Sequence, residues 1–438
     1  MQTQAILGYN ILLDMVLDKL KQKIPTTNNM QDIDHIVALD IGTEFAKALI
    51  AKIEGENMKI VGVGRARQEV SDMHSGAIAD IGGVVRACEE ALAEAEDQAG
   101  LQTKRVIIGI AGELVKGTTN TIRYKRPRAD KPLDIAEMEF IIQKVQERAQ
   151  LKAQKLVAWE TGNEDVEVKL VNSAIVGITI DGYKITNPIG FQGKDVAIQI
   201  YTAFAPMVHI GALERVATEL DLDLIAVAAE PFAVARSVLG NDASSSFTAI
   251  LTDVGGGTTD IAVINDGGVE GTKMFGIGGR SFTRTIATEL ELGYDDAEKL
   301  KVNINDPNIK DNVAEEVNTA IDKTLDVWIG GVELALSEFD SVDHLPNKIL
   351  LCGGGSSLEK LVKRLKQTDW YKDLPFTKRP VVHHIDPSSV EGIKDTTGMV
   401  SDHTFITAMG LLRVGYDTMV GSTDADTVKD KINRILRI

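Results

Sequence analysis

The sequence predicts an α/β fold in which one unit, a strand hairpin closed by a glycine turn and followed by helices, occurs twice. Three observations predict it. Ile36-Val-Ala-Leu-Asp40-Ile-Gly42-Thr43 is a buried strand ending in an acid and a glycine turn, followed by a second apolar strand, Ala46 to Ile53. Asp253-Val-Gly255-Gly256-Gly257-Thr258-Thr259-Asp260 repeats that arrangement between Phe247-Thr-Ala-Ile-Leu-Thr and Ile261-Ala-Val-Ile-Asn-Asp-Gly-Gly. Lys348-Ile-Leu-Leu-Cys-Gly353-Gly354-Gly355-Ser-Ser-Leu places a third glycine turn after a strand and before a helix. A plain hairpin also calls for glycine, so the order and spacing of the three turns carry more weight than any one.

The chemistry of these turns follows from what they lack. A run of glycines removes every Cβ, so backbone N–H groups can approach and cradle phosphate oxygens, and Thr258 and Thr259 add hydroxyls. Asp40 and Asp253, each at a strand end, stand where a phosphate-bound Mg²⁺ with its water shell would lie. Two hairpins of this kind grip a polyphosphate from opposite sides. The third turn, bare of side chains, lets a flat base and ribose lie against the backbone.

Composition sets bounds. A chain of 438 residues, 44% hydrophobic and 25% charged, is an ordinary folded protein too long for one compact core. Its net charge of −17 argues against nucleic acid as a partner, which needs a positive footprint. Cys88 and Cys352, the two cysteines, read as small core residues in a reducing compartment. The His383-His384 pair has no cysteine nearby and reads as structural.

Taken in order, the chain opens with Ile6, Leu13, Val16, Leu17, Leu20 and Ile24 on one helical face, widened by Leu7, Ile11, Leu12 and Met15. Such a segment is too short and charged to span a bilayer and lacks a basic leader; it docks on its own domain, on a partner's helix, or on a membrane surface. Pro25-Thr-Thr-Asn-Asn reads as a linker. After the first hairpin come a strand from Lys59 to Gln68 and an alanine-rich helix from Ile81 to Ala99. A small inserted α+β domain starts near Lys104, with a strand over 105–112, a basic loop Arg123-Tyr-Lys-Arg-Pro-Arg128, a helix capped by Asp134 and running through Gln150, and strands near 170–179 and 196–204. The basic loop reads as a solvated tip or a partner site. A helix over 208–220 follows, with His209 early in it in a surface or capping role, and then Ala226-Val-Ala-Ala-Glu230-Pro231 opens another helix. Glu230 reads as an acid favoured by the helix dipole. Downstream, Gly278-Gly279 forms a glycine turn before a helix, Glu298 and Lys301 share a helical face where a routine salt bridge would also put them, and 311–339 is one long helix with Trp328 and Leu336 inward. The tail, 428–438, sets Val428, Ile432, Ile435 and Leu436 in a stripe flanked by Lys429, Arg434 and Arg437, the pattern of a membrane-surface helix or of a terminal helix packed on the body.

Through Asp40-Ile-Gly-Thr43, Asp253-Val-Gly-Gly-Gly-Thr-Thr-Asp260, Gly353-Gly-Gly355, Glu230-Pro-Phe-Ala-Val-Ala and Phe405-Ile-Thr-Ala-Met-Gly410-Leu-Leu, the chain resembles the actin, DnaK-type chaperone and sugar-kinase ATPase superfamily. Within it, Asn187-Pro188-Ile-Gly190-Phe-Gln-Gly193 is similar to a segment of FtsA, the bacterial cell-division actin homologue; 275–283 and Ala297-Glu298-Lys299-Leu-Lys301 match family segments as well. The resemblance runs from about 35 to 415 and leaves out the first thirty or so residues. It implies two ribonuclease-H-like halves around a nucleotide cleft, divided as an N-terminal extension and linker (1–34), a first actin-like subdomain (35–103), the inserted domain (104–205), a return to the first subdomain (206–245), a second half (246–402) with a small helical subdomain near 285–338, a return helix (403–420), and a linker with a membrane-targeting tail (421–438). It implies ATP and Mg²⁺ as cofactors, with Asp40 and Asp253 on the metal through water, Gly42, Thr43 and 255–259 on the phosphates, Gly278, Gly279, Glu298, Lys301 and Gly353 to Gly355 around the nucleoside, and Asp253 or Glu230 orienting an attacking water in a hydrolysis of unspecified rate.

The resemblance further implies a protein that polymerises as a protofilament on the cytoplasmic face of the inner membrane at the division site. There it tethers FtsZ filaments through the anionic-membrane-binding tail and meets other division proteins through the inserted domain. One weak tail per subunit suffices when a polymer carries many. The rival reading is a type IV pilus assembly protein of the PilM kind, which docks a peptide of a membrane partner. A chaperone would need a peptide-binding domain for which no segment is left.

Overall fold

The structure is a computed structural model that describes residues 34–113, 115–239, 246–339 and 342–422. The apolar N-terminal segment and the 428–438 stripe lie outside the described residues.

The first half begins with β1 (His35–Ile41), β2 (Phe45–Glu54) and β3 (Asn57–Arg67). Residues 36–41 of β1 are all buried, as expected of a strand covered on both faces. The ribbon of β4 (Met73–His74) and β5 (Ala77–Ile78) leads to α1 (Ile81–Ala99), which starts at the Asp80 cap and stops where Gly100 takes a φ of 67°. Next come β6 (Arg105–Ile110), β7 (Lys116–Lys125), α2 (Ile135–Thr161), β8 (Val168–Ile180), β9 (Tyr183–Lys184) and β10 (Asp195–Pro206). The chain then forms α3 (Met207–Glu219), β11 (Asp223–Ala229) and α4 (Glu230–Leu239). The second half holds β12 (Ala249–Val254), β13 (Thr259–Asn265), β14 (Gly268–Phe275), α5 (Gly279–Glu289), α6 (Tyr294–Val302), α7 (Asp311–Ser337), β15 (Lys348–Cys352), α8 (Glu359–Gln367), β16 (Val381–His384), β17 (Ile393–Asp395) and α9 (Ile406–Ser422).

One sheet runs β11-β6-β1-β2-β3-β17 and a second runs β16-β15-β12-β13-β14-β7-β10-β8-β9. The duplication is visible in the ladders. β6 pairs in parallel with β1 and β11 with β6, as β15 pairs with β12 and β16 with β15; β2–β3 and β13–β14 are the matching antiparallel hairpins. In an α/β sheet, ligand-binding turns collect at the carboxyl ends of parallel strands. Asp40, Glu230, Asp253 and Gly353 each stand at such an end. Buried aliphatics fill each half: one core unites β1, β2, β6, α1 and α9, and another joins Ile250, Ile261, Phe282, Ile321, Trp328 and Leu351.

The segment between β6 and α3 departs from the expectation in three places. Strand 105–110 belongs to the first sheet, parallel to β1, and not to the inserted part; its Val-Ile-Ile run is buried on both faces, which only a central strand allows. Residues 123–125 are strand rather than loop, and Arg126 is buried, held by Glu137 at 2.8 and 2.9 Å and by the Gly193 carbonyl, while Arg123, Lys125 and Arg128 remain exposed. The helix capped by Asp134 continues past Gln150 to Thr161, because Ala149, Ala153 and Val157 keep a buried face on the sheet. The strands of this segment join the second sheet through β14 and β7, at Gly271 opposite Thr118 and Thr272 opposite Gly117. Beyond α8, 369–403 consists of short helical turns with β16 and β17 rather than plain loop; His384 ends β16, its ring stacked on His403 with centroids 4.0 Å apart.

Candidate functional site

The two acid-bearing turns, one from each sheet, meet over a cavity of about 600 Å³. Asp40, Gly42, Thr43, Glu230, Asp253, Gly255, Gly256, Thr258, Gly279, Glu298, Lys301, Gly353, Gly354 and Gly355 all line it. The turns touch each other: a Cβ on Gly256 would come within 2.9 Å of Glu44 Cβ, and one on Gly257 within 2.6 Å of Thr43 Oγ1. Only glycine permits that approach; the Gly42 and Gly255 amides close their own turns, donating to the Phe45 and Thr258 carbonyls at 3.1 and 2.9 Å.

Three residues of the expected set lie off the cavity lining. Thr259 is wholly buried on β13, its hydroxyl donating to the Ile277 carbonyl at 2.7 Å and accepting from Trp328 Nε1 at 2.8 Å; strand alternation turns it away from Thr258 and into the second core. Gly257 sits behind Thr43, and Gly278 is wedged against the Gly255 and Gly256 backbone. Thr258 faces the cavity, with its hydroxyl donating to Asp260 Oδ2 at 2.9 Å.

The acids sit in a low-dielectric floor. Burial holds the Glu230 carboxyl well above the usual range, helped by the charges of Asp40, Asp260 and Asp253. Burial likewise raises Asp260 well above its ordinary value, with Asp253 adding to it, and Asp260 Oδ1 is a buried acceptor with no hydrogen-bond partner. Asp253 is raised by burial too, against the opposing hydrogen bond from the Thr407 hydroxyl and the attraction of Lys47.

Lys47 is one residue that sequence reasoning missed. Its ammonium lies 2.9 Å from Asp40 Oδ2, both side chains nearly buried. Burial works against its charge, but the attraction of Asp40 and Asp253 more than offsets this and raises the pKa. A signal was present: Lys47 is a lone cation inside the apolar run Phe45-Ala-Lys-Ala-Leu-Ile-Ala, where an unpaired charge would be prohibitive. The hairpin from β1 to β2 folds it back beside Asp40.

On the far wall, Lys301 donates to the Gly279 carbonyl at 3.0 Å and to Thr283 Oγ1 at 2.8 Å, and pairs with Glu298 at 2.7 Å, while Thr283 bonds Glu298. The pair is thus tied to the start of α5 and is not a surface salt bridge. Gly353 has a φ of +78°, and a Cβ there would fall 2.0 Å from Asp253 Oδ1, so the third glycine turn is pressed against the second. Arg280, also unforeseen, is buried at the start of α5 and reaches across to the first half: Nε donates to Glu44 at 2.7 Å, Nη1 to the Val70 carbonyl at 3.1 Å, and Nη2 to the carbonyls of Gln68 and Glu69.

These features fit a polyphosphate with a hydrated divalent cation. The glycine cradle offers amide donors, Lys47 a positive charge, and Asp40, Asp253, Asp260 and Glu230 acceptors for metal-bound water. Among the described residues no group of three His, Cys, Asp or Glu is arranged to ligate a metal directly.

The comparisons with known proteins follow the same line. A family model described as "Cell division protein FtsA" matches residues 250–410. Cell division protein FtsA of Pseudomonas aeruginosa is 24% identical over 402 residues, which cover 87% of this chain and 89% of that protein. Its counterpart from Enterococcus hirae is 25% identical over 346 residues, 74% of each. Among solved structures, a chain of the PilM-PilN type IV pilus biogenesis complex superposes with a TM-score of 0.62 at 16% identity, over 87% of this chain and 98% of that one, a likeness of fold.

Proposed function

We propose, on the premise that this chain is an FtsA-like actin homologue, that it is an ATP-binding cell-division protein. In this reading it polymerises on the inner membrane and tethers FtsZ filaments there through its C-terminal amphipathic segment. The observation that carries the nucleotide part is the meeting of two acid-bearing glycine turns, one from each half, in a single cavity, with Lys47 paired to Asp40 and attracted by Asp253.

Mg-ATP, when bound, would supply negative phosphate charge and a divalent cation to the site. The chain's own residues do the rest. Amides of Thr43, Gly256 and Thr258 would donate to phosphate oxygens, those of Gly42 and Gly255 being engaged by the Phe45 and Thr258 carbonyls of their own turns; Lys47 balances the charge of Asp40; Glu298 and Lys301, locked onto α5, shape the nucleoside wall with Gly353 to Gly355. Asp253 and Glu230 hold water at the end of the cavity. Burial raises the Glu230 and Asp260 carboxyls well above their ordinary values, so the site resists gathering negative charge. Because Arg280 on the second half grips Glu44 and the 68–70 backbone of the first, occupancy of the cleft is coupled to how the halves are held, which is what a nucleotide-gated polymer requires.

Among the described residues no helix is long and apolar enough to cross a membrane, so attachment falls to surface segments in this reading. Co-sedimentation with anionic vesicles tests it: the intact chain with ATP brings FtsZ into the pellet, a chain lacking 421–438 does not, and Asp253→Ala loses the ATP-dependent part. Recovery of FtsZ that ignores both changes overturns the assignment. The fold likeness to the PilM chain favours a second reading, a scaffold that docks a membrane partner's peptide; in it FtsZ stays in the supernatant whatever the tail.

A further inference from the structure

Helix α2 buries Met138, Ile141, Val145, Ala149, Ala153 and Val157 against the sheet. Its opposite side is unusual. Two adjacent rows at i, i+4 spacing run along it: Phe140, Lys144, Arg148, Lys152, Leu156, and beside them Gln143, Glu147, Leu151, Lys155, Trp159. Trp159 is 81% exposed, Leu151 59% and Phe140 47%, a costly display of apolar surface on one ridge. Between these anchors stand the cations. Lys144 is paired with Glu147 at 2.7 Å, but Arg148, Lys152 and Lys155 have no carboxylate within ion-pair distance among the described residues. Three unpaired cations on one helix face stand out in a chain whose net charge is −17.

We propose that this ridge of α2 is a docking surface for an acidic amphipathic peptide segment of a partner protein, whose carboxylates meet Arg148, Lys152 and Lys155 while its apolar side covers Leu151 and Trp159. Charge complementarity selects the acid, and the narrowness of the ridge selects a peptide over a bilayer. From Phe140 to Trp159 it is one helix wide and about 28 Å long at about 1.5 Å per residue, and it is followed directly by the exposed acids Glu164, Asp165 and Glu167. A flat anionic membrane laid on the ridge would be repelled by that acidic loop; a single segment lying along the helix avoids it. None of these residues lines the nucleotide cavity, so the inference stands or falls apart from the ATP reading.

Tryptophan emission of the full-length protein tests it, because Trp328 and Trp370 are buried and Trp159 is the exposed reporter among the three tryptophans. The probe is a synthetic helix about five turns long with Glu and Asp on one side and Leu and Phe on the other. It is expected to give a saturable blue shift that weakens as salt is raised, and a peptide with Lys in place of the acids gives none. The Lys152→Glu, Lys155→Glu double variant, both positions solvent-exposed and its circular dichroism unchanged, binds the acidic probe about tenfold more weakly or worse. Four results overturn the proposal: no saturable shift, an equal shift with the basic peptide, a shift given by vesicles of anionic lipid and not by the peptide, or a shift that tracks protein concentration without peptide, which assigns the face to a second copy of the chain.

Discussion

Replacing Lys47 with methionine removes the cation paired with Asp40 in the cavity while keeping the volume of the side chain. At 2.9 Å from Asp40 and an effective dielectric of about 20, the lost attraction is roughly 6 kcal/mol before desolvation is counted. Lys47 and Asp40 are both nearly buried, so breaking the pair leaves a carboxylate without compensation, and the net loss of stability in the nucleotide-free protein is about 3–5 kcal/mol. Neutralising the partner as well, in Lys47→Met with Asp40→Asn, removes the isolated charge and restores all but about 1 kcal/mol. Urea unfolding of the three proteins without nucleotide measures this, and calorimetric titration with Mg-ATP separates stability from binding: the double variant regains the first and not the second. A single variant that loses less than about 1 kcal/mol, or a double variant as unstable as the single one, would refute the reasoning.

Arg280→Ala is expected to cost about 3 kcal/mol and to open the 68–80 segment to limited proteolysis, with no rescue by lysine, whose point charge cannot serve Glu44 and three carbonyls at once. Gly353→Ala places a Cβ on Asp253 at a φ of +78°; a loss of about 2 kcal/mol or more together with weakened nucleotide binding, seen by denaturation and titration, checks it. His403 is held down from 6.5 to about 4 by burial and by the neighbouring His384 ring, against Asp402. A depressed histidine favours the neutral folded state, so its contribution is complete above 6.5 and fades as pH falls toward about 4. Melting temperature should therefore drop across that window in the native protein and drop less in His403→Gln.

The turns that meet at the cavity were legible in the sequence because each is announced by residues that serve little other purpose there. An acid at the end of an apolar run, followed by glycines, is expensive in a core and useful at a phosphate. Asp40, Asp253 and Gly353 were readable on that ground, as were the strands β1, β2, β12 and β13, whose apolar runs and closing turns are contiguous in the chain. Helix α1 was legible to the residue because Asp80 caps it and Gly100 ends it.

Tertiary structure alone decided what depends on partners distant in sequence. Strand β6 belongs to the first sheet because β1 and β11 lie on its two sides, and only three-dimensional pairing chooses between that place and the neighbouring segment. Thr258 faces the cavity and Thr259 the core because one residue of strand turns a side chain through the sheet, a register that composition does not carry. Lys47 and Arg280 acquire their roles from carboxylates and carbonyls that folding brings to them. A sequence states which groups need a partner; the fold decides which partner each one meets.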